Sequence, residues 1–423
     1  MKRRVAIVVQ RWAPAIAGGS EALAWQYAQL LADEFDVDLL TSTALDYVTW
    51  ADALPAGVEH VEGVTVRRFS PAFTRGEYFF TLDRRLRADW RPNETPSRRT
   101  RDIWTTALQE DLIKFQGPWC PSLLAHLDEH ADGYDAILLC TYLYPTSYFA
   151  AGRIAKHKLL LAPTLHDEPM AYLPVYRRYA DRIGRFLWLT DAERMLATRL
   201  WGVDRGEVIG MAIDAQPAKP DALPYPYLLY CGRIDSQKNC DQLLAWFTLY
   251  RAARPESRLK LVLTGKDAMD LRSMPNVEFL GFVSEARKHS LMAGALAFVQ
   301  PSRYESFSIV TLEAMAQGTP IVVNGHCEVL AEHVVNSGSG YAYYDRAEFD
   351  AAIDALSTMD APMRDQQSQR ARAYAFGRYG REHVRERLIG QVRALAGASA
   401  GNTESSDGTA RAVHRSATRT NNE

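Results

Sequence analysis

The stretch that decides the fold class lies between Pro301 and Pro320 and reads PSRYESFSIVTLEAMAQGTP. The run before it, 294–300 (GALAFVQ), is short, apolar and continuous, which is typical of a buried strand. From about Ser306 the apolar residues recur at a helical period, and Glu313 falls on the same inward stripe. Because an unpaired carboxylate on a buried face is costly, Glu313 needs a partner. The stretch therefore predicts a strand, a tight connection and a helix that carries a paired acid.

A second acid stands at the predicted junction between this strand and this helix. Glu305 precedes Glu313 with seven residues between them. The backbone N–H groups of Ser306, Phe307 and Ser308 are the free donors of the helix start, and such donors form a natural anion site. Two acids around this anion site suit a ligand that carries both phosphate and hydroxyl groups. The alternative is a structural Glu313 held by a lysine or by backbone amides.

These residues resemble the E-x7-E signature of the retaining glycosyltransferases of family 4, which have the two-domain GT-B fold. The match runs from Glu305 to Glu313 and continues through 314–322 (AMAQGTPIV). The resemblance implies an α/β fold of two Rossmann-like parallel-sheet domains that face a central cleft. It also implies a nucleotide-diphosphate sugar as donor, with Glu305 as a catalytic residue and Glu313 on the hydroxyls of the ribose.

The composition is that of an ordinary globular enzyme. The chain has 423 residues, enough for two or three domains, with 47% hydrophobic and 24% charged residues. A formal charge of −2 argues neither for nor against a polyanionic partner, and no nucleic acid is expected. No run approaches the about 18 apolar residues of a membrane span. The five cysteines form no CxxC pair, which predicts reduced thiols in a cytoplasmic protein.

Strands alternate with helices along both halves, and this order predicts parallel sheets covered by helices on both faces. We expect a first, acceptor-side domain over 1–207 and a second, nucleotide-sugar-binding domain over 208–364. The resemblance implies that the helices over 365–396 cross back to the first domain. The tail over 397–423 has almost no large apolar residues and predicts disorder.

The segment 71–121 interrupts the alternation of strands and helices. Between Arg84 and Arg101 it carries seven arginines against two acids. One interpretation is a surface for phosphates or anionic lipid head groups, which would place the protein peripherally on the inner face of the membrane. The other is a solvated insertion whose aromatic residues dock onto the domain. The aromatic residues concerned are Phe79, Phe80, Trp90, Trp104 and Trp119.

Two cations follow the predicted strand 227–231 (YLLYC) in the second half. Arg233 offers a planar fork and Lys238 a point charge, a combination that suits a pyrophosphate. They resemble the GR…K element of family 4, in which both cations neutralise the leaving nucleotide diphosphate. No D-x-D sequence stands at a predicted strand end of this half. We therefore expect no metal and no cofactor besides the donor substrate.

A glycine pair, Gly18 and Gly19, follows the first predicted strand and opens a helix. It does not form G-x-G-x-x-G, and no such fingerprint follows any predicted strand, which disfavours a nicotinamide dehydrogenase. The sequence GGSE resembles the GG-x-E loop of family 4. By that resemblance, the loop backbone closes over the phosphates and the sugar of the donor.

His166 stands at the end of the apolar run 159–165, where parallel sheets gather their site residues. One interpretation is a structural role, in which His166 is buried in the core and hydrogen-bonded to a backbone carbonyl. The resemblance instead implies contact with the donor sugar. No second histidine or cysteine lies at metal-ligand spacing from it.

Three further positions bear on the donor. The turn Gly281-Phe282-Val283 resembles the family turn whose main chain reads the nucleobase, which makes Val283 a candidate. Ser308 occupies a place that is commonly glycine. The segment 324–328 (NGHCE) stands where many relatives have Gly-Gly-x-x-E.

Together these features predict a retaining, metal-independent glycosyltransferase. It would move a hexosyl unit from a UDP- or GDP-sugar to a hydroxyl of a glycan or lipid-linked saccharide, in the biosynthesis of cell-surface polysaccharide. Two alternatives stay open: a nucleotide-sugar epimerase of the same fold, and a non-catalytic protein that binds sugar nucleotides. Release of free nucleotide diphosphate only when acceptor is present would exclude the epimerase.

Overall fold

The computed structural model describes residues 2–16, 18–89, 104–221, 223–271 and 273–395. Within these residues the first sheet has eight strands in the order β3-β4-β2-β1-β5-β6-β7-β8, and only the β3–β4 pair is antiparallel. Its strands are β1 Arg3–Val9, β2 Phe35–Ser42, β3 Gly57–Val61, β4 Val64–Phe69, β5 Ala136–Cys140, β6 Leu159–Ala162, β7 Arg185–Trp188 and β8 Glu207–Val208.

The second sheet has six parallel strands among the described residues, in the order β11-β10-β9-β12-β13-β14. They are β9 Tyr227–Cys231, β10 Lys260–Thr264, β11 Val277–Phe279, β12 Ala297–Gln300, β13 Ile321–Asn324 and β14 Tyr341–Tyr343. The predicted strand before Pro301 is thus β12, which pairs with β9 on one side and β13 on the other.

Helices cover the sheets. The described helices are α1 Gly19–Ala32, α2 Glu77–Asp89, α3 Thr106–Gln116, α4 Pro121–His130, α5 Pro145–Tyr148, α6 Val175–Arg182, α7 Asp191–Trp201, α8 Cys240–Ala252, α9 Glu285–Gly294, α10 Ile309–Ala316, α11 Glu328–Ser337, α12 Arg346–Thr358, α13 Ala361–Tyr379 and α14 over 381–395. No helix of the described part of the chain is long and apolar enough to span a membrane.

Alternate residues of one strand enter different cores, as expected for a sheet that is buried on both faces. Val5 and Ile7 of β1 belong to one core, and Ala6 and Val8 belong to another. The first of these cores is continuous with residues of the second sheet such as Leu229. The two parallel-sheet α/β domains predicted from the sequence are therefore present.

The last two helices join the domains. Helix α13 packs on α10 of the second domain, and Arg372 donates to the carbonyl of Gln317 over 2.8 Å. Helix α14 lies against the first domain, where Arg385 pairs with Glu34 at 3.3 Å. Helix α13 begins at Ala361 rather than at the predicted 365.

The predicted boundary between 207 and 208 falls inside a strand of the first sheet. Val208 pairs with Trp188 in that sheet, so the first domain extends beyond the predicted boundary. The tail 397–423 lies outside the described residues.

The described part of the segment 71–121 forms α2 and α3, which pack against each other. Phe79 and Trp104 are buried in the core of the first domain, as the docking interpretation predicts. On the outer side, Arg84, Arg85 and Arg87 each pair with an acid of the same helix. The other four arginines of the basic run, and Trp90, lie outside the described residues.

Candidate active site

A cleft of about 570 Å³ opens between the two sheets. Its walls are the segments that follow parallel strands, because the carboxyl ends of such strands meet at one edge of a sheet. A volume of this size suits a small-molecule site. From the first domain come Arg11, 18–21, Tyr47, 141–144, Thr164, His166 and Glu168, and from the second 230–233, Gln237, Lys238, Gln300 and 305–310.

Most of the predicted site residues meet in this cleft. Its lining includes the two predicted catalytic residues, His166 and Glu305. It also includes most of the residues predicted to bind the donor nucleotide and phosphates, which are Gly18, Gly19, Arg233, Lys238, Ser306, Phe307 and Ser308. Val283 and Glu313 are not among the lining residues of the described chain. The structure thus gathers in one place residues that the sequence separates by nearly 300 positions.

Lys238 and Glu305 form an ion pair on the second-domain wall, with Nζ 2.7 Å from the carboxylate. Lys238 ends a short turn, Ser236–Lys238, and Asp235 is the N-cap residue of this turn. The Asp235 carboxylate accepts from the Lys238 amide over 2.8 Å and also pairs with Arg233. Asp235 therefore fixes both cations at the end of β9.

Arg233 reaches across the cleft. Its Nη1 donates to the Tyr47 hydroxyl of the first domain over 2.9 Å, and its Nη2 donates to Gln237 over 3.0 Å. The Arg233 side chain is one third exposed and lines the cleft. Residues of both domains thus surround the proposed phosphate position.

The connection between β12 and α10 presents free donors to the cleft. Among the described residues, no oxygen accepts a hydrogen bond from the backbone N–H groups of Ser306, Phe307 and Ser308. Ser308 is left-handed, with φ 60°, and its hydroxyl contacts the Thr311 hydroxyl at 2.9 Å. Glycine adopts this conformation without the penalty of a Cβ, which explains why glycine is common here. The three free N–H groups therefore lie where the sequence predicts them, on the wall of the cleft.

Glu313 lies deeper along α10 and is paired with Lys288 at 2.8 Å. Lys288 also pairs with Glu285 at 2.7 Å. The structure therefore shows the ion pair that the alternative predicted, in which a lysine holds Glu313. Burial raises the pKa of the Cys231 thiol, which lines the cleft. The charge of Lys288 lowers this pKa and the charge of Glu313 raises it.

The described residues include one group of three potential metal ligands, Glu285, His289 and Glu313. The ammonium group of Lys288 pairs with both acids of this group and so supplies the positive charge that they require. This donor set therefore gives no support to a metal ion.

The predicted nucleobase turn is ordered by main-chain contacts. The Gly281 carbonyl accepts from the Gly265 amide over 2.9 Å and from the Thr264 hydroxyl over 2.7 Å. Val283 is half-buried and packs against the core, whereas Phe282 is 77% exposed. An exposed aromatic ring at this turn is available for stacking, but the turn stands apart from the cleft wall.

His166 lies on the first-domain wall with about a third of its side chain exposed. Its Nδ1 is 3.9 Å from Glu168, which accepts from the Tyr142 hydroxyl over 2.7 Å. The residue before it, Leu165, is held by the buried Glu193, which accepts its amide over 2.6 Å. His166 therefore sits on a fixed backbone and faces the cleft rather than the core.

The glycine loop depends on Arg11, which the sequence analysis did not single out. Arg11 follows β1 and pairs with the buried Glu21 at 2.5 Å, while Glu21 also accepts from the Ser20 hydroxyl over 2.9 Å. A Cβ on Gly18 would lie 2.1 Å from the Glu21 carboxylate, so a larger residue there would displace the carboxylate from Arg11. The position of Arg11 at a strand end was the signal that could have found it.

His333 contacts the connection between β12 and α10 from the core side. It is fully buried, and its Nε2 is 2.8 Å from the Phe307 carbonyl while its Nδ1 is 2.9 Å from the Tyr374 hydroxyl of α13. Only a neutral ring can donate to the carbonyl and accept from the tyrosine. Burial lowers the pKa of His333 from 6.5 to about 4. Sequence periodicity could not reveal this contact.

The shifted pKa of His333 predicts a loss of stability in acid. The folded state holds the neutral ring, whereas the unfolded chain protonates it below about pH 6.5. The free energy of unfolding is therefore highest above about pH 6.5 and falls by about 3 kcal/mol as the pH approaches about 4. His333→Gln keeps a donor and an acceptor but does not titrate, so it should not show this acid-dependent loss of the free energy of unfolding. Thermal melting of both proteins from pH 7.5 to 4 checks it, and parallel curves would contradict it.

Comparisons with known proteins agree with this architecture. Residues 213–374, a little over a third of the chain, match the family model described as Glycosyl transferases group 1. The sucrose-phosphate synthase structure from Thermosynechococcus elongatus superposes with a TM-score of 0.65 at 18% identity, over 94% of this chain and 100% of that one. The predicted fold class is confirmed: the chain has the GT-B fold of glycosyltransferases.

Curated relatives match only part of the chain. Glycogen synthase of Mycobacterium tuberculosis is 30% identical over 151 residues, 34% of this chain and 36% of its own. D-inositol 3-phosphate glycosyltransferase 2 of Catenulispora acidiphila is 30% identical over 229 residues, 47% of this chain and 53% of its own. The chain thus spans about a third to a half of the length of these relatives.

Proposed function

We propose that the protein is a retaining, metal-independent glycosyltransferase of the E-x7-E type. It transfers a hexosyl unit from a UDP- or GDP-sugar to a hydroxyl of a glycan or lipid-linked saccharide, in the biosynthesis of cell-surface polysaccharide. The observation that carries the proposal is the cleft of a GT-B fold in which Arg233, Lys238 and three free amides converge. Fixed donors of this kind stabilise a leaving diphosphate.

The second domain holds the donor in this proposal. The diphosphate lies between the forked donors of Arg233 and the amides of 306–308, and it competes with Glu305 for the Lys238 ammonium group. Glu305, released from that ion pair, accepts hydrogen bonds from hydroxyls of the donor sugar. Glu313 accepts from the ribose hydroxyls beside Cys231. The first domain closes the site with His166 and the loop at Gly18.

The transfer step needs no nucleophile from the protein. The bond from the anomeric carbon to the diphosphate oxygen breaks, and its electron pair leaves with the diphosphate. The acceptor hydroxyl attacks from the same face, and its proton passes to the departing phosphate oxygen. His166 stabilises the sugar as this bond lengthens. Retention of configuration follows from attack on the face that the diphosphate leaves.

A panel of nucleotide sugars tests the proposal. A ligand at about 100 times its Kd stabilises the folded protein by about 2.7 kcal/mol, which thermal melting detects. We expect stabilisation by UDP- or GDP-sugars and by the matching diphosphate, but not by NAD. If no nucleotide sugar stabilises the protein, the proposal fails.

Product analysis separates the proposal from its two alternatives. A transferase releases nucleotide diphosphate only with acceptor. An epimerase converts the donor without acceptor, and a non-catalytic binding protein leaves the donor intact.

Glu313→Ala should weaken the affinity for nucleoside diphosphate by about 10- to 100-fold, since loss of a hydrogen bond to a charged group costs about 1.5–3 kcal/mol. Calorimetry on the folded variant measures this. Glu285→Ala is the matched control, because it removes the other acid of Lys288 and leaves Glu313 in place. Equal affinities in both variants would make Glu313 purely structural.

A chelator should leave the activity unchanged, because the proposed charges on the diphosphate are met by Arg233 and Lys238. Initial rates with and without EDTA measure this. Inhibition that magnesium or manganese reverses would contradict the metal-free mechanism.

The names of the relatives include both phosphorylated and neutral saccharides. D-inositol 3-phosphate glycosyltransferase and sucrose-phosphate synthase carry a phosphate ester in their names, whereas glycogen synthase does not. Charged and neutral acceptors are both compatible with the proposed reaction.

A further inference from the structure

An arginine without an acidic partner stands beside the first-domain wall of the cleft. Arg75 lies just before α2 and is only partly exposed. Its Nε donates to the Gln116 carbonyl over 2.8 Å, and its guanidinium carbon lies 5.4 Å from the ring centroid of Trp50 and 4.6 Å from that of Phe79. The stacking and this hydrogen bond fix the group in place.

The neighbouring arginines that the structure describes are paired with acids. Arg11 pairs with Glu21, and Arg84, Arg85 and Arg87 pair with acids of α2. Among the described residues, no carboxylate lies within ion-pair distance of Arg75, and its two terminal nitrogens have no hydrogen-bond partner.

The acids that act on Arg75 from a distance are already engaged. Asp46 accepts from the amides of Val48 and Thr49 over 2.6 and 2.9 Å, and Asp83 pairs with Arg87 at 2.7 Å. Burial lowers the pKa of Arg75, and the charges of Tyr144, Asp46 and Asp83 only partly offset this effect. A partly buried cation of this kind is costly unless a ligand supplies the opposite charge.

Trp50 connects this arginine to the cleft. The indole is 1% exposed, donates to the Gln116 carbonyl over 2.7 Å and makes an edge contact at 5.4 Å with the ring of Tyr144, which lines the cleft. The guanidinium carbon of Arg11, also on the cleft wall, lies 6.0 Å from the same indole. Two guanidinium groups therefore flank one indole behind this wall.

Arg75 itself is not among the described residues that line the cleft. We propose that Arg75 belongs to an oxyanion subsite that adjoins the cleft wall at Arg11 and Tyr144, so that the acceptor carries a phosphate or carboxylate group. This inference rests on the proposed function, which assigns the donor diphosphate to Arg233 and Lys238 of the other domain. An oxyanion held at the Trp50 side thus belongs to the second substrate. Arg75 supplies its two free terminal nitrogens as a planar fork, a geometry that matches phosphate and carboxylate.

The test uses the full chain saturated with the nucleoside diphosphate that binds it, which blocks the donor phosphate position. Calorimetry then measures glucose 6-phosphate, glucuronate and glucose, which separate phosphate, carboxylate and neutral ligands. We expect one of the two anionic probes to bind at least 10-fold more tightly than glucose. In Arg75→Gln the affinity for that anionic probe should fall by about 10- to 100-fold, as for the loss of other hydrogen bonds to charged groups.

Arg84→Gln is the matched control, since it removes an exposed arginine of the same segment that is paired with Glu77. It should bind the probes as the unaltered protein does, and Arg75→Lys should show an intermediate loss. If no anionic probe outbinds glucose, or if Arg75→Gln binds the probes normally and loses only melting temperature, the inference is overturned. Retained affinity for the diphosphate in Arg75→Gln separates such a failure from a failure of the proposed function.

Discussion

Lys238→Met is expected to lower the turnover by about 100- to 1,000-fold, the effect of removing one fixed donor from a developing negative charge. The Lys238 ammonium group is on the cleft wall and 2.7 Å from Glu305. Its removal takes a positive charge from the leaving diphosphate and leaves Glu305 without its partner. Affinity for nucleoside diphosphate should fall as well, by a smaller factor than turnover. Steady-state kinetics and calorimetry give the two numbers.

Lys260→Met provides the control for this experiment. Lys260 is as exposed as Lys238 and also pairs with a glutamate, Glu278, at 3.4 Å, but it is not among the cleft residues. Its replacement should leave kinetics unchanged. Comparable losses in both variants would mean that the charge of Lys238 acts on stability, and its proposed role would be lost.

His166→Ala should lower kcat and kcat/KM together, by about 100-fold or more, because its contact with the sugar strengthens only as the glycosidic bond breaks. Affinity for nucleoside diphosphate, which the other domain holds, should hardly change. The melting temperature should also hold, since a third of this side chain is exposed and no cavity is left in the core.

Variants of two other histidines serve as controls for this experiment. His60→Ala, on the exposed strand β3, should change neither turnover nor stability. His333→Ala removes a fully buried ring and should cost a few kcal/mol of stability. A His166 variant that behaves like the His333 variant, with a large fall in melting temperature and near-normal turnover, would make His166 structural.

The second-domain wall was predictable because its signals are local. Arg233, Glu305 and Lys238 follow apolar runs by two, five and seven residues. The carboxyl ends of parallel strands meet at one edge of a sheet, so such residues converge. The sequence therefore indicated both the fold class and one wall of the cleft. Glu313 was harder, because its partner Lys288 comes from the neighbouring helix α9 and no spacing rule connects the two.

The first-domain wall and the supporting residues were hidden for a different reason. Trp50 follows β2 and Tyr144 follows β5, and these two strands flank β1 in the sheet, an order that periodicity does not specify. His333 acts on the main-chain carbonyl of Phe307, and a backbone partner leaves no trace in the sequence. Arg75 lies outside the basic run from Arg84 to Arg101, and no sequence pattern indicates which arginine lacks an acidic partner.

The central claim, transfer from a nucleotide sugar with retention, is tested most directly by proton NMR of the reaction. The donor that stabilises the protein is incubated with phosphorylated, carboxylated and neutral saccharides, and the anomeric proton of the new glycoside is observed. The account predicts one nucleoside diphosphate released for each glycoside formed, with the product in the anomeric configuration of the donor. A product of opposite configuration, or donor consumption without a new glycoside, would contradict it.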